Sequence, residues 1–377
     1  GGFAHMDSFD PKPDAPPEYR GILDPIKTSI PGILFSSHMQ QSAKIADRLT
    51  IVRSMSHTEV DHSRGEHSMF TGLRCTAIQA INDNELNLTF VADKDCRLDA
   101  VPFRLRSDDG LSELKTITIT PFPTVSEEHS AEAQQVKPNT TIIGTLEGDD
   151  VDSYEIRVQK GQRLSGEVHA MRLGGAMLDT KLTLVGPTGK RIIVSDDSPL
   201  LNQDPCFSII AEEAGAFRVQ ITSVGANADA NSQYALHLGD FPRPQAFFPL
   251  GAPANSKVSV SFFQNMPNEH HSISLALSTQ GLSPGTHLIE IADGGAVCPS
   301  PIPFRVSDAQ SVNDPASGAI APCAFHGLIR AEQPTNQYSF QVPDDGEYCV
   351  EVFATRFGSN LDSVIEIADS HRSIVAG

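Results

Sequence analysis

Tryptophan is absent from this chain of 377 residues, and positive charge is scarce. Basic residues number 28 against 47 acidic ones, which argues against nucleic acid or an anionic membrane surface as the main partner, since both are bound by clustered Lys and Arg. No run approaches the roughly 20 apolar residues that span a bilayer, so no membrane span is predicted. No basic-then-apolar segment opens the chain at Gly1, so we expect a removed leader or a sequence internal to a longer protein.

Motifs that carry chemistry are also missing. The chain contains no G-x-S-x-G, no H-E-x-x-H and no P-loop, and it contains no C-x-x-C of the zinc-ribbon or thioredoxin type. Six cysteines are scattered along the sequence, which favours free thiols, with one or two disulfides as the alternative. They are Cys75, Cys96, Cys206, Cys298, Cys323 and Cys349.

The dominant positive feature is a duplication. Residues 154–179 read YEIRVQKGQRLSGEVHAMRLGGAMLD, and residues 338–362 read YSFQVPDDGEYCVEVFATRFGSNLD. An offset of 184 aligns the two copies up to Gly174 and Gly358, and an offset of 183 aligns them from Leu178 and Leu361 onward. Both copies alternate apolar and polar residues between Gly-rich or Asp-rich turns, which is typical of half-buried β-strands. We therefore predict a duplicated, mostly β architecture.

Specific motifs in the first copy resemble a known module. DVDSYEIRVQKGQRL, RLGGAMLD, VSDDS and AGAFRVQI are similar to the pre-peptidase C-terminal domain, a small β-sandwich or jelly roll of secreted bacterial proteins. The resemblance implies tandem β-sandwiches that alternate with immunoglobulin-like units, located outside the cytoplasm. Four segments follow: a partial immunoglobulin-like unit at 76–121, a complete pre-peptidase-type unit at 122–240, an immunoglobulin-like unit at 241–307, and a truncated second pre-peptidase-type unit at 308–377. In this alignment Gly110 corresponds to Gly295.

Residues 1–73 differ from the rest and form a short, truncated α/β segment in our interpretation. SSHMQQSAKIADRL at 36–49 has the spacing of an amphipathic helix, and LTIVRSM at 49–55 predicts a buried strand. GG-x-x-H-x-D-x-FDPKPDAP and LTIVRSM-x-HTE-x-DH-x-RGEH resemble the start of an uncharacterised bacterial family related to sulfatases and alkaline phosphatases. That resemblance implies metal ligands at Asp7 and His62, with a solvated His-rich loop as the alternative.

Acidic loops are further candidates for a metal site. Asp149, Asp150 and Asp152 are predicted to share one turn, and Asp196 and Asp197 another, so their carboxylates are candidate Ca2+ ligands. The alternative is ordinary turn chemistry, because Asp side chains hydrogen-bond the local backbone. Arg172 and Asp179 are predicted to form a structural ion pair or turn instead of a catalytic pair.

Two functions remain open at this stage. The first is a non-enzymatic, extracytoplasmic β-sandwich array that serves as a spacer, an adhesion module or a glycan- or protein-binding module. The second is a Zn2+- or Ca2+-dependent phosphate or sulfate ester hydrolase, inactive in truncated form, based on residues 1–73. The balance favours the non-enzymatic function, because the duplicated pair of units covers most of the chain and catalytic bases need a cleft that β-sandwich surfaces rarely supply.

Overall fold

The structure is a computed structural model and divides into two compact units, Gly1–Cys96 and Arg97–Gly377, which are described separately. The described residues are 5–16, 20–49, 51, 72–83, 85–94, 96–107, 110–130, 132–173, 177–225, 228, 231–263, 272–312, 318–371 and 373–376.

The first unit contains short elements around a small core. Two strands, β1 (Pro25–Lys27) and β2 (Leu34–Ser36), pair antiparallel, and α1 (Gln40–Lys44) packs on them. Phe35, Ala43 and Ala46 form the buried core. A longer antiparallel pair follows, β3 (Leu73–Asn82) and β4 (Glu85–Ala92). Turns of 3-10 helix lie at His5–Asp7, Ser37–Met39 and Ala46–Arg48.

The amphipathic helix predicted over residues 36–49 is broken into three pieces. Ile45 adopts φ −115° and ψ 19°, outside helical geometry, between α1 and the next 3-10 turn. The predicted apolar face is lost there, and Ile45 and Leu49 are exposed. Neither end of α1 has a side-chain cap, so no capping hydrogen bond stabilises a helix longer than these five residues. Leu49 and Ile51 lie outside strands, and the remainder of the strand predicted at 49–55 falls at Thr50 and residues 52–55, outside the described residues.

The regular secondary structure of the second unit is almost entirely strand. In its first part they are β5 (Asp99–Phe103), β6 (Arg106–Ser107), β7 (Gly110–Leu111), β8 (Lys115–Ile119), β9 (Thr124–Ser126), β10 (Gln134–Val136), β11 (Thr140–Thr145), β12 (Val151–Val158), β13 (Arg163–His169), β14 (Thr180–Val185), β15 (Arg191–Ser195), β16 (Cys206–Ile210), β17 (Gly215–Ser223) and β18 (Gln233–Gly239). A 3-10 turn lies at Met171–Leu173.

The later strands are shorter. They are β19 (Ala246–Phe248), β20 (Gly251–Pro253), β21 (Lys257–Phe263), β22 (Ser272–Ser278), β23 (Gly285–Ile289), β24 (Ala292–Asp293), β25 (Ala296–Val297), β26 (Ile302–Ser307), β27 (Gln310–Val312), β28 (Ala319–Ile320), β29 (Cys323–Phe325), β30 (Phe340–Gln341), β31 (Ile367–Ala368) and β32 (Ile374–Ala376). A second 3-10 turn lies at Thr355–Phe357.

Strands β9 to β18 form a sandwich of two five-stranded sheets. The orders are β10-β12-β17-β14-β15 and β16-β13-β18-β11-β9. Alternation explains the core: Tyr154, Ile156 and Val158 of β12 are buried, while Glu155 and Arg157 between them point away. Each fully buried Val, Leu, Ile or Phe side chain contributes roughly 1.5–3 kcal/mol. The segments RLSGEVHAM, KLTLVGP, KRIIVSDD, CFSIIAEE, AFRVQITS and YALHLG form β13 to β18.

A smaller sandwich follows. Its two three-stranded sheets have the orders β19-β21-β22 and β20-β26-β23. Phe247, Val260, Phe262, Ile302 and Phe304 form its buried centre. The chain is therefore mostly β, with tandem sandwiches in its second unit, as the sequence predicted.

Strand pairing shows the duplication directly. β5, β6 and β7 correspond to β23, β24 and β25 with an offset of 186. Ser107 pairs with Gly110, and Asp293 pairs with Ala296, so Gly110 corresponds to Ala296 and not to Gly295. The sequence alignment was wrong by one residue here, because adjacent glycines leave the turn register open.

The sandwich of residues 122–240 is expected to fold as an isolated fragment. Its main core is self-contained, because every residue of that core lies between Val136 and Leu238. We expect one cooperative thermal transition, followed by far-UV circular dichroism, at a temperature below that of the same sandwich in the full chain. A fragment of residues 308–377 serves as the comparison and should melt without cooperativity. A non-cooperative melt of 122–240 would contradict this boundary.

Candidate functional site

Polar and charged side chains are buried on the outer face of the second sheet of the larger sandwich. On β13, Leu164 and Val168 point into the core, so Ser165, Glu167 and His169 lie on the opposite face by alternation. His237 of β18 is the register partner of Glu167. All four polar residues are essentially inaccessible to water. Strands β13 and β18 are therefore buried on both faces, and their polar groups must find partners within the protein.

Glu167 is the centre of this arrangement, which we call the Glu167 cluster (Asp99, Glu167, His169, Arg172, Asp204, Arg243 and Ser300). Its carboxylate lies 3.2 Å from Arg172 Nη2 and 3.2 Å from Arg243 Nη1. His169 Nε2 is 3.0 Å away, and the Ser300 hydroxyl donates to the same carboxylate. Burial alone would raise the pKa of Glu167, but Arg243, the His169 hydrogen bond and Arg172 outweigh it and hold the pKa well below its usual range.

Arg172 connects the cluster to two more carboxylates. Its Nε donates to Asp204 Oδ2 at 2.7 Å, and its Nη1 lies 3.3 Å from Asp99 Oδ1. Asp204 Oδ1 accepts the backbone N–H groups of Ala170 and Met171, at 3.1 and 2.8 Å. Asp204 thus fixes both the turn at Met171–Leu173 and the guanidinium of Arg172, which lies in that turn. Charge-assisted hydrogen bonds of this kind are the strong ones.

Arg243 enters the cluster from the segment between β18 and β19. Its side chain is fully buried, and its Nη1 lies 3.3 Å from Cys298 Sγ and 3.4 Å from the Ser300 carbonyl. Nε and Nη2 have no hydrogen-bond partner among the described residues, so Glu167 carries most of the compensation for this charge. Burial raises the pKa of Cys298 to about 11, which keeps its thiol neutral. Burial also holds the pKa of His237 well below its usual range, with the nearby His169 adding to the effect.

Ser300, His169 and Asp99 have the residue types of a nucleophilic triad. Ser300 Oγ lies 2.9 Å from His169 Nε2, and His169 Nδ1 lies 3.6 Å from Asp99 Oδ1. Ser300 and His169 are 1% and 0% exposed, and the Ser300 hydroxyl is also bound by Glu167 and by Arg172 Nη1. A substrate cannot reach a hydroxyl that is buried and fully engaged in this way. The cluster therefore ties chain segments together.

The acidic residues predicted to share one turn are separated by the structure. Asp150 is exposed in the turn and accepts the backbone N–H of Val151 at 2.8 Å. Asp152 lies within β12 with a buried side chain, so the prediction that places it in the turn is wrong. Its carboxylate accepts a hydrogen bond from Tyr234 Oη at 2.6 Å, and Tyr234 contacts Tyr154 Oη. Burial, together with Glu127, raises the pKa of Asp152 to about 7.

The other predicted ligands stand as follows. Asp196 and Asp197 follow β15 and are exposed. Burial of the Asp179 carboxyl raises its pKa, and the charges of Asp196 and Asp197 raise it further. Asp7 lies in the first 3-10 turn, where its Oδ1 is buried without a hydrogen-bond partner among the described residues. His62 lies outside the described residues. In the part of the chain that is described, no group of three or more His, Cys, Asp or Glu side chains could hold a metal ion. Metal binding by these residues stays a prediction.

Of the residues in the Glu167 cluster, only Arg172 was identified as a candidate from the sequence. The ion pair expected between Arg172 and Asp179 is wrong, because Arg172 bonds Asp204, Asp99 and Glu167. One signal was available: RLSGEVHAM places Glu167 within an apolar strand, and the second copy repeats it as Glu351. All six cysteines are free thiols. Among the described residues, none of the helices has the length and hydrophobicity required to cross a bilayer.

Comparisons with known proteins agree with part of this description. The model of a family described as a protein of unknown function, DUF1501, matches residues 1–82. This match agrees with the predicted uncharacterised family, and the relation to sulfatases stays a prediction. No curated protein matches the chain.

Several solved structures are similar to part of the chain. The pre-peptidase C-terminal domain of collagenase from Bacillus anthracis is 16% identical, with 30% of this chain and 98% of that chain covered and a TM-score of 0.23. PliG, a periplasmic inhibitor of g-type lysozyme from Aeromonas hydrophila, is 16% identical over 31% and 96% of the two chains, with a TM-score of 0.22. The Salmonella Typhimurium PliG is 16% identical over 28% and 98%, with a TM-score of 0.21. The sheet order and strand pairing of residues 122–240 define their sandwich without reference to these solved structures.

Proposed function

We propose that the protein is a non-enzymatic spacer that works outside the cytoplasm, in which the β-sandwich units of the second unit are joined at fixed junctions. The observation that carries this proposal is a junction that occurs twice. In the first copy, the turn at Met171–Leu173 packs on β8, and Thr116 Oγ1 donates to the Leu173 carbonyl. In the second copy, the turn at Thr355–Phe357 packs on β26, the counterpart of β8. The repeated unit therefore includes its connection to the preceding unit.

The two junctions use the same local geometry with different chemistry. Arg172 Nη2 donates to the Val168 carbonyl at 2.9 Å, and Arg356 Nη2 donates to the Val352 carbonyl at 3.2 Å. In the first copy the junction is sealed by the buried ion pairs of the Glu167 cluster. In the second copy Phe357 is buried in the core of the smaller sandwich, and the Arg305 guanidinium lies 4.9 Å from the Phe353 ring. Both kinds of contact oppose bending, which is what a spacer requires.

The spacer proposal predicts that Arg172→Met loosens the first junction. This substitution keeps an unbranched side chain but removes the ion pairs of Arg172 with Asp99, Glu167 and Asp204. Small-angle X-ray scattering of the full chain should then give a larger maximum dimension and a broader distance distribution than the wild type. Arg356→Met is the matched comparison, because Arg356 is exposed, its nearest carboxylate, Glu351, lies 3.8 Å away, and its guanidinium lies 4.5 Å from the Phe353 ring. This variant removes only exposed contacts and should change the scattering less than Arg172→Met does.

Two results would contradict the spacer proposal. The first is a broad distance distribution for the wild type that Arg172→Met leaves unchanged. The second is hydrolysis of a chromogenic phosphate or sulfate ester in the presence of Zn2+ or Ca2+, with turnover abolished by Asp7→Ala or His62→Ala. The second result would favour the hydrolase.

A further inference from the structure

An edge strand of the larger sandwich is open to a partner. β15 (Arg191–Ser195) ends the first sheet, and among the described residues it pairs with β14 alone. The other three edges are shorter or covered, since β9 and β10 have three residues each and Cys206, Phe207 and Ser208 of β16 are buried. An edge strand presents unpaired backbone N–H and C=O groups, so β15 can accept a strand from another chain.

The side chains of β15 are apolar on its exposed face. Ile193 packs against the core of the sandwich, so Ile192 and Val194 on either side of it lie on the outer face by alternation. These two side chains are 43% and 50% exposed. Edge strands of natural proteins usually carry charges that discourage pairing with another chain. An edge that exposes apolar side chains at its centre is instead suited to such pairing.

The two ends of β15 carry charges of opposite sign. Lys190 and Arg191 lie at its beginning, and Asp196 and Asp197 follow its end. All four residues are exposed, so their charges are accessible to a partner. An antiparallel strand of the same sequence brings its acidic end beside the basic end of β15, whereas a parallel one brings like charges together. The charges of β15 are therefore complementary to those of an antiparallel copy of itself.

We propose that β15 pairs antiparallel with β15 of a second copy of this chain, which joins two five-stranded sheets into one sheet of ten strands. With a twofold axis beside Ile193, Lys190 lies opposite Asp196 of the other copy, and Ile192 lies opposite Val194. Basic side chains then face acidic ones, and apolar side chains face apolar ones. Twofold symmetry repeats each of these contacts.

The side chains specify this register. A shift by one residue places the core face of one sheet beside the outer face of the other. A shift by two residues in one direction places Ile192 opposite Asp196, and a shift by two in the other direction places Val194 opposite Lys190. A bulge at Ile192, opposite Val185 of β14, increases the local twist and limits the length of the paired stretch, so we expect a weak dimer.

Pairing through β15 goes beyond the spacer function. It uses no residue of the Glu167 cluster and none of the turns at Met171–Leu173 and Thr355–Phe357. Two spacers would be held side by side at their larger sandwiches. A chain that fails to dimerise would therefore leave the spacer proposal unaffected.

Charge reversal tests the pairing. Sedimentation velocity of the full chain should show a dimer that increases with protein concentration, measured up to about 1 mM so that even a dissociation constant of that size is detected. A reducing agent is present because Cys349 is an exposed thiol. Lys190→Glu and Asp196→Lys should each weaken dimerisation at least about tenfold, because two attractive pairs become two repulsive ones. Lys160→Glu makes the same charge change on an exposed residue outside β15 and should dimerise like the wild type.

Two further samples isolate the predicted contact. The double variant Lys190→Glu/Asp196→Lys should recover dimerisation, because its charges are complementary again. An equimolar mixture of the two single variants should form a heterodimer, since the acidic strand of one chain then faces the basic strand of the other. Amide exchange in residues 191–195 should become slower as the concentration of the wild type rises, and Lys190→Glu should remove this effect.

Three results would overturn the proposal. The first is a wild-type chain that stays monomeric at every concentration. The second is a dimer whose affinity neither single variant changes, because another surface would then form it. The third is a mixture of the two single variants that dimerises no better than either variant alone.

Discussion

Glu167→Gln is expected to lower the free energy of unfolding of the larger sandwich by about 3–5 kcal/mol, the range for removing one partner of a buried ion pair. Glutamine has nearly the same shape but no charge. The fully buried Arg243 would then lack its only carboxylate within 4 Å among the described residues, and Arg172 would retain Asp204 and Asp99. Urea denaturation followed by tyrosine fluorescence measures the effect, since Tyr154 and Tyr234 lie in this core and the chain has no tryptophan.

The duplication supplies a matched control in Glu351→Gln. Glu351 is the counterpart of Glu167, but it and its partner Arg356 are half exposed and 3.8 Å apart. Exposed pairs contribute roughly 0–1 kcal/mol, so this variant should match the wild type within about 1 kcal/mol. Equal small effects of the two substitutions would show that the Glu167 cluster adds nothing to stability.

Asp152→Asn is expected to remove a pH dependence of stability between about pH 4 and pH 7. The folded pKa of Asp152 is raised from 3.8 to about 7, first by burial and then by Glu127. A raised carboxyl pKa means that the folded state holds its proton more tightly than the unfolded state does. The associated stability is present below about pH 4 and is lost as pH rises through 7. At about 1.4 kcal/mol per pH unit, the loss is of order 4 kcal/mol.

Asparagine stays neutral and can still accept the Tyr234 hydrogen bond, so this variant should equal or exceed the wild type in stability at pH 8. Thermal melts from pH 4 to pH 8 give the difference between the two proteins, in which other titrating groups such as Glu167 cancel. Asp150→Asn is the control, because Asp150 is exposed in the adjacent turn. Parallel pH profiles for wild type and Asp152→Asn would show that Asp152 is ionised throughout this range.

Strand positions were predictable because they depend on local alternation. β12 shows this, with Tyr154, Ile156 and Val158 in phase. The same alternation places Asp152 on the buried side of β12, and the prediction that Asp152 lies in a turn overlooked this alternation. The partners of Glu167 could not be predicted, since Arg243 and Ser300 follow it by 76 and 133 residues and only the folded sheets bring them together. The single helix predicted at 36–49 did not form, because periodicity alone supplies neither caps nor a long surface to pack on.

The reach of the Glu167 cluster along the chain sets an order of assembly during synthesis. All strands of the larger sandwich precede residue 240, so that sandwich can close while the smaller one is still being made. At that moment Arg243 and Ser300 do not yet cover Glu167, so water can solvate its charge. Arg243 and Ser300 arrive later, and only then does the outer face of the sheet become dry. The charged face keeps the early sandwich hydrated until the next unit is made. The same charges then form the ion pairs that attach the next unit.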